Sequence, residues 1–185
     1  LSGQEYDDFI DMFVTAVQKK FPKIFLHWED FARDTARKNL DRYRNKMCTF
    51  NDDMQGTGAV VLAALLSATQ TLNQKLSEHR IVFFGAGTSA TGIADQICDA
   101  MMREGLSKQE AHDRIYLLGR RGLITDTLPK VTPFQKIYAK SQEHIANWQI
   151  ANTEHIELLE VIKNAKATIL IGCSTVGGAF TEEIV

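Results

Sequence analysis

The sequence predicts an α/β fold: a parallel sheet flanked by helices, preceded by a short α/β segment. Three observations carry that expectation. Arg80–Phe84, "RIVFF", is a short apolar strand that runs into a glycine-bearing turn, Gly85–Gly92. A helix over Ala90–Met102 follows, with Ile93, Ile97 and Met101 spaced along one face. Two more apolar strands, Ile115–Leu118 "IYLL" and Ala167–Ile171 "ATILI", recur after helical stretches, which is the βαβ grammar of a parallel sheet.

The other elements follow in chain order. Phe9, Ile10, Phe13, Val14 and Val17 mark one face of a helix over Tyr6–Phe21, which Pro22 ends. "KIFLHWED" is a short strand finishing on acids. Asp34–Asn45 is a polar, basic helix, and "CTF" at 48–50 is a second short strand. Gly56–Leu72, rich in Ala, Leu and Val, predicts a well-buried helix, and 73–79 a polar turn. Ser107 with Glu110 forms a capping box for the helix before the "IYLL" strand. Residues 122–154 read as irregular and polar, with one helix near Phe134–Lys140, and Ile156–Ala165 as a helix.

Composition narrows the function class. A hydrophobic fraction of 44%, a charged fraction of 24% and a net charge of −2 describe an ordinary globular chain able to bury a core. No dense basic run supports nucleic-acid binding, and no apolar stretch reaches the roughly 20 residues of a membrane span. Cys48, Cys98 and Cys173 have no CxxC spacing, which argues against a disulfide framework or structural zinc. Plain thiols fit a reducing compartment, so a cytoplasmic location is expected. The chain opens on "LSGQEYDDF" without Met and closes on "FTEEIV", which reads as a helix start. It is expected to be an internal piece of a longer protein.

"FFGAGTSATGIA" carries the first chemistry. Gly85, Gly87 and Ala90 satisfy G-x-G-x-x-A between a strand and a helix. Gly85 permits the tight turn, Gly87 lets a pyrophosphate approach the backbone, and Ala90 allows close helix–strand packing. The helix N-terminus adds N–H groups and partial positive charge for the phosphates. The plainer alternative is a tight βα turn with no ligand. The second strand should end in an acid for the ribose 2′-hydroxyl of NAD, yet here Gly119 is followed by Arg120 and Arg121. Two arginines suit the 2′-phosphate of NADP; equally, they suit a solvated loop.

The carboxylates carry the second. Glu29-Asp30 ends one strand and Asp52-Asp53 another. If the two ends converge, their repulsion calls for a cation, and hard oxygen ligands suit Mg²⁺ or Mn²⁺. Alternatively Glu29 and Asp52 cap helices. His27 shares a strand face with Glu29. Trp28 and Trp148 are expected to pack in the core. Cys173 stands at a strand end beside the expected cleft.

Read together, "WEDFARDTARKNLDRYRNKMCTFNDDMQGTGAVVLAALLSA", "FFGAGTSATGIADQI" and "ILIGCSTVGGAFTEEIV" closely resemble the malic enzyme family, over essentially the whole chain. "LSEHRIVFFGAG" and "EGLSKQEA" are most similar to its bacterial NAD-linked branch. The resemblance implies oxidation of malate by NAD or NADP with release of CO₂ and pyruvate. It implies a Rossmann-like NAD(P)-binding domain over 51–185, and over 1–50 the C-terminal part of a malate- and metal-binding domain. Glu29, Asp30 and Asp53 would hold the divalent metal, with Asp52 supporting the geometry and charge of the site. Asp52 and Asp53 are thus the expected catalytic pair. Asp53, Thr57, Gly85, Ala86, Gly87, Thr88, Ser89 and Ala90 would face the dinucleotide. Gly119 and Arg120 would lie at its ribose, and Cys173 and Ser174 beside the nicotinamide half.

The family's Lys, Tyr and malate-binding Arg belong to an earlier domain, so these 185 residues alone are expected not to turn over malate. The intact protein is expected to be a homo-oligomer. His27-Trp28 before the acids and Gly119 in place of an Asp depart from the family pattern. Two rivals share these motifs: a malolactic enzyme, releasing lactate, and a non-catalytic dinucleotide-binding module that senses redox state.

Overall fold

The computed structural model describes all 185 residues apart from the side chains of Arg33 and Asp34. Two sheets form. A small one pairs β1 (Leu26–Trp28) with β2 (Thr49–Asn51), in parallel. The larger contains β3 (Ile81–Phe84), β4 (Ile115–Gly119), β5 (Gly122–Leu123) and β6 (Ile169–Gly172), in the order β5-β4-β3-β6. β3 pairs in parallel with β4 and β6, while β5 pairs antiparallel with β4. The sheet is therefore mixed: the parallel core has an antiparallel edge that the hydrophobic pattern of 122–154 did not announce.

The helices are α1 (Gly3–Lys20), α2 (Arg33–Tyr43), α3 (Thr57–Thr71), α4 (Thr88–Arg103), α5 (Lys108–Asp113), α6 (Pro133–Lys136), α7 (Gln142–Ile145) and α8 (Leu158–Ala165). Period-two alternation sorts the strand side chains between two cores. Ile81 and Phe83 join Ile115 and Leu117 under α4, against Ile93, Ile97 and Met101. Val82, Tyr116 and Leu118 face the opposite layer, where α8 contributes Leu158, Val161 and Ala165. A third core of Ile10, Val14, Trp28 and Tyr43 joins α1 and α2 to the small sheet. Trp148 packs at the edge of the second core.

Polar ties bind these layers. On α2, Lys38 pairs with Asp7, Arg42 with Asp11, and Tyr43 donates its hydroxyl to Asp11. Arg37 Nη1 reaches Asp95 of α4 at 2.5 Å, and Tyr138 Oη donates to the same carboxylate at 2.6 Å. These contacts link the small sheet's unit to the larger one.

Three expectations need correction. The helix over 56–72 is not well buried: in α3 only Gly58 and Thr69 are buried, and Val60 is 72% exposed. The helix is apolar around most of its circumference, whereas α4 covers one side of it. The expected helix over Phe134–Lys140 is the four-residue α6, after which the chain turns so that Tyr138 and Lys140 enter the interior. α7 was not foreseen; Ser141 caps it by accepting from the N–H of His144. "FTEEIV", read as a helix start, forms one turn closed by Val185 N–H donating to Thr181 O at 3.1 Å.

Two residues test this account. Gly122 has φ +78°, and an added Cβ would lie 2.3 Å from the carbonyl oxygen of Ile156. Gly122→Ala is expected to destabilise the fold by about 2 kcal/mol or more, through left-handed strain and that backbone clash, measured by urea denaturation.

Lys140 is buried, donates to His112 O at 2.8 Å and stands 4.5 Å from the Tyr116 ring centre. Burial pulls its pKa down to about 8 against the opposing pull of Asp113 and Cys98. The unfolded chain, with a lysine pKa of about 10.4, holds more protons between these values, so stability rises with pH from about 8 to 10. Lys140→Met should remove that rise, which approaches about 1 kcal/mol per pH unit.

Candidate active site at the acidic strand ends and the glycine turn

The register of the small sheet assembles the acids. Leu26 lies opposite Thr49, His27 opposite Phe50 and Trp28 opposite Asn51. The next residues on the two chains are therefore Glu29-Asp30 and Asp52-Asp53, leaving the sheet side by side. Oxygens of Glu29, Asp30 and Asp53 all lie within 4.8 Å of one another, and the same holds for ligand atoms of His27, Glu29 and Asp52. Asp30 turns into the left-handed region at φ +58°, and its N–H donates to Asp53 Oδ2 at 3.0 Å. His27 Nε2 stands 3.2 Å from Glu29 Oε2 and 4.0 Å from Asp52 Oδ1. The Glu29 carboxyl is held above its usual value, by desolvation first and then by the charges of Asp52 and Asp53.

Helix capping does not account for the acids. The cap of the following turn is Asn51, fully buried, whose side-chain oxygen accepts from Met54 N–H at 2.9 Å. Ala32 precedes α2 and supplies no side-chain cap. Asn51 was not singled out in the sequence, although Asn immediately before a helical turn is a recognised start signal. Asp52–Gly56 forms a π-helical turn, wider than an α turn, that leads into Thr57 and α3. A Cβ on Gly56 would lie 2.3 Å from Asp52 Oδ1, so the bare glycine makes room for that carboxylate.

The same turn is wedged against α4. A Cβ on Gly92 would meet Met54 Cα at 2.8 Å, and Gln96 Nε2 donates to Gln55 O at 2.9 Å. The acid-bearing turn and the glycine turn are thus mounted on the same helix.

The glycine turn occupies the point where the sheet reverses its strand order. From β3 the chain goes to β4 on one side, then returns to β6 on the other. Ligands of open α/β sheets bind at such points, at the carboxyl ends of the strands. Gly85, at φ +123°, touches the end of β6 so closely that a Cβ would lie 2.5 Å from the carbonyl carbon of Cys173 and 2.8 Å from Ser174 N. This brings Cys173 and Ser174 to the turn. Gly87 faces open space, with nothing within 4 Å of where its Cβ would be. It is the N-cap of α4 and supplies no side-chain cap to the first turn, which begins at Thr88. Ala90 is fully buried against the sheet.

Gln135 Nε2 donates to Ala86 O at 2.6 Å, a buried brace on the turn. Its distance in sequence, with no motif around it, left it invisible to a linear reading. At the end of β4, Gly119 lies near the same turn: its Cβ would stand 3.9 Å from Ala86 Cβ. Arg120 and Arg121 form the exposed two-residue turn between β4 and β5. Burial pushes the Cys173 thiol up, away from thiolate chemistry.

Comparison with known proteins agrees with this architecture. The family model described as malic enzyme, NAD binding domain, matches residues 54–185, and that described as malic enzyme, N-terminal domain, matches residues 1–44. NAD-dependent malic enzyme 3 of Bacillus subtilis is 51% identical over 184 residues, covering 99% of this chain and 32% of its own length. NAD-dependent malic enzyme of Proteus mirabilis is 46% identical, covering 100% of this chain and 33% of its own length. The chain thus spans about a third of these relatives.

Among solved structures, the Entamoeba histolytica malic enzyme superposes with a TM-score of 0.69 at 26% identity, covering 94% of this chain and 34% of its own. The Pyrococcus horikoshii malic enzyme gives 0.65 at 26% identity, covering 90% and 37%. The chain belongs to the malic enzyme family, and its residues 54–185 are the NAD-binding portion.

Proposed function

We propose that the protein containing this chain oxidises malate with NAD and decarboxylates it to pyruvate and CO₂, using Mg²⁺ or Mn²⁺. The observation that carries the reading is the meeting of Glu29, Asp30 and Asp53 within 4.8 Å. Three carboxylates so close repel one another unless a cation lies among them, and an all-oxygen donor set suits a hard divalent ion. When bound, the dinucleotide would supply a hydride acceptor for malate C2, and the cation Lewis acidity at the C2 oxygen.

The chain's own residues do the holding and aligning. Glu29, Asp30 and Asp53 are the proposed metal ligands. The Asp30 N–H to Asp53 bond orients one of those carboxylates, and His27 lies between Glu29 and Asp52. Asp52 adds negative charge and supports the geometry. The Gly85–Ala90 turn, open at Gly87, would hold the pyrophosphate, and Thr57, at the start of α3, is a further proposed contact to the dinucleotide. Cys173 and Ser174, held against Gly85, would border the nicotinamide half. The base that takes the malate hydroxyl proton and the acid that protonates the enolate are assigned to the remaining polypeptide.

We place the domain division at 50/51, a reading supported by the separate cores of the two sheets. Exposed Phe9, Met12 and Phe13 on α1, and Val60 and Leu66 on α3, support association into a homo-oligomer. Among the described residues no helix is long and apolar enough to cross a membrane. Three free cysteines support a cytoplasmic location.

The test uses the full-length protein with malate, NAD and Mn²⁺. Stoichiometric pyruvate and NADH are expected. Lactate without net NADH would instead identify the malolactic reaction, and NAD binding with no metal dependence a redox-sensing module. Asp53→Asn is expected to weaken Mn²⁺ binding by roughly 100-fold or more, read by titration calorimetry, and to lower kcat in parallel. Unaltered Mn²⁺ affinity in that variant would remove Asp53 from the ligand set.

A further inference from the structure

We propose that Gln135 is a positioning residue for the glycine turn: by holding the Ala86 carbonyl inward, it keeps the Gly87 N–H turned outward as a donor to a bound pyrophosphate. The inference rests on the dinucleotide reading of that turn. Gln135 lies on α6, is 5% exposed, and stands 49 positions beyond Ala86 in the chain. Both ends of its amide are engaged. Oε1 accepts from Thr132 N–H at 3.0 Å, and Nε2 donates to Ala86 O at 2.6 Å. Reversing the amide would set its oxygen against the Ala86 carbonyl and its NH₂ against the Thr132 N–H, so the start of α6 fixes which end faces the turn.

A trans peptide unit is planar and carries its C=O and the following N–H on opposite edges. No peptide of this chain is cis. Fixing Ala86 O therefore fixes the Gly87 N–H, which points away from Gln135. Among the described residues nothing accepts from that N–H, and Gly87 borders open space. The backbone groups on either side are tied to the fold: Gly85 N–H donates to Leu118 O at 2.9 Å, and Gly87 O accepts from Thr91 N–H at 3.1 Å. The Ala86–Gly87 peptide spans the interval between these anchors. Glycine at 85 and at 87 leaves it little steric resistance to rotation. Ala86 is itself buried, so its carbonyl would be costly to leave without a donor. Loss of the Gln135 amide would favour rotation of that carbonyl toward water, which turns the Gly87 N–H inward. Gln135 thus prepares the donor before the ligand arrives.

The full-length protein is titrated by calorimetry with ADP-ribose and with adenosine, as native, Gln135→Met and Gln135→Glu. Methionine fills a similar volume with no donor. Glutamate, ionised at about pH 8, keeps an oxygen for Thr132 N–H and removes the donor to Ala86, which separates the brace on the turn from the cap on α6. Both variants are expected to lose roughly tenfold or more in ADP-ribose affinity, as for a hydrogen bond to a charged group, with adenosine affinity changed less than about twofold. Only ADP-ribose carries the pyrophosphate. ADP-ribose affinity within about twofold of native in Gln135→Met would overturn the proposal. Equal losses for the two ligands would overturn it as well, since they would mark a general distortion of the cleft. Native behaviour of Gln135→Glu would assign Gln135 to capping α6 instead. Native protein that binds neither ligand would sink the dinucleotide reading together with the proposal, whereas native binding that is indifferent to Gln135 would sink the proposal alone.

Discussion

The structure depends on holding like charges together. Glu29, Asp30, Asp52 and Asp53 would separate if their backbones were free, since each sits near other carboxylates. Two three-residue strands prevent that by pairing in parallel with no offset. A shift of one residue would turn alternate side chains to the opposite face and dissolve the cluster. Trp28, 2% exposed and stacked on Tyr43, anchors one strand; the buried Asn51 cap anchors the other. The wide turn that follows Asn51 is clamped on α4 by the Gln96–Gln55 bond and by the bare surface of Gly92. Repulsion is thus opposed by backbone pairing, capping and packing, which keep the negative charge concentrated at one place.

α4 relates the two halves of the site. Its N-terminus forms the floor of the glycine turn, its middle carries the acid-bearing turn, and Asp95 on its flank receives both Arg37 and Tyr138. Arg37 comes from the helix that follows the first acid pair, so the elements carrying the acids and the glycine turn share one carboxylate. The Cys98 thiol beside this group is pushed up to about 12, chiefly by burial, and serves as packing. The arrangement explains how a site assembled from two sheets keeps a fixed geometry: each sheet is referenced to one sixteen-residue helix.

Much of this was legible in the residues. The βαβ pattern, the G-x-G-x-x-A turn and the capping box at Ser107 each rest on interactions within a few positions. The two acid pairs were visible as pairs. The exposure of α3 was not, because an apolar sequence states a preference for burial without naming a cover. The antiparallel β5 was hidden as well, since two residues carry no period; its pairing comes from a tight turn and from Ile156, far along the chain.

By itself the sequence determined the local chemistry: which residues bear carboxylates, where glycine permits a turn, and where Gly119 and the arginines stand in place of an acid. Only the tertiary structure decided between capping and clustering for the acids. That choice hung on strand register and on Asn51 taking the cap, both long-range or competitive outcomes. Only tertiary contact, too, brought Gln135 to Ala86 and Cys173 to Gly85. The physical reason is one of range. Helix periodicity and turn conformation are set by neighbours in sequence, whereas convergence of side chains depends on which surfaces are buried together.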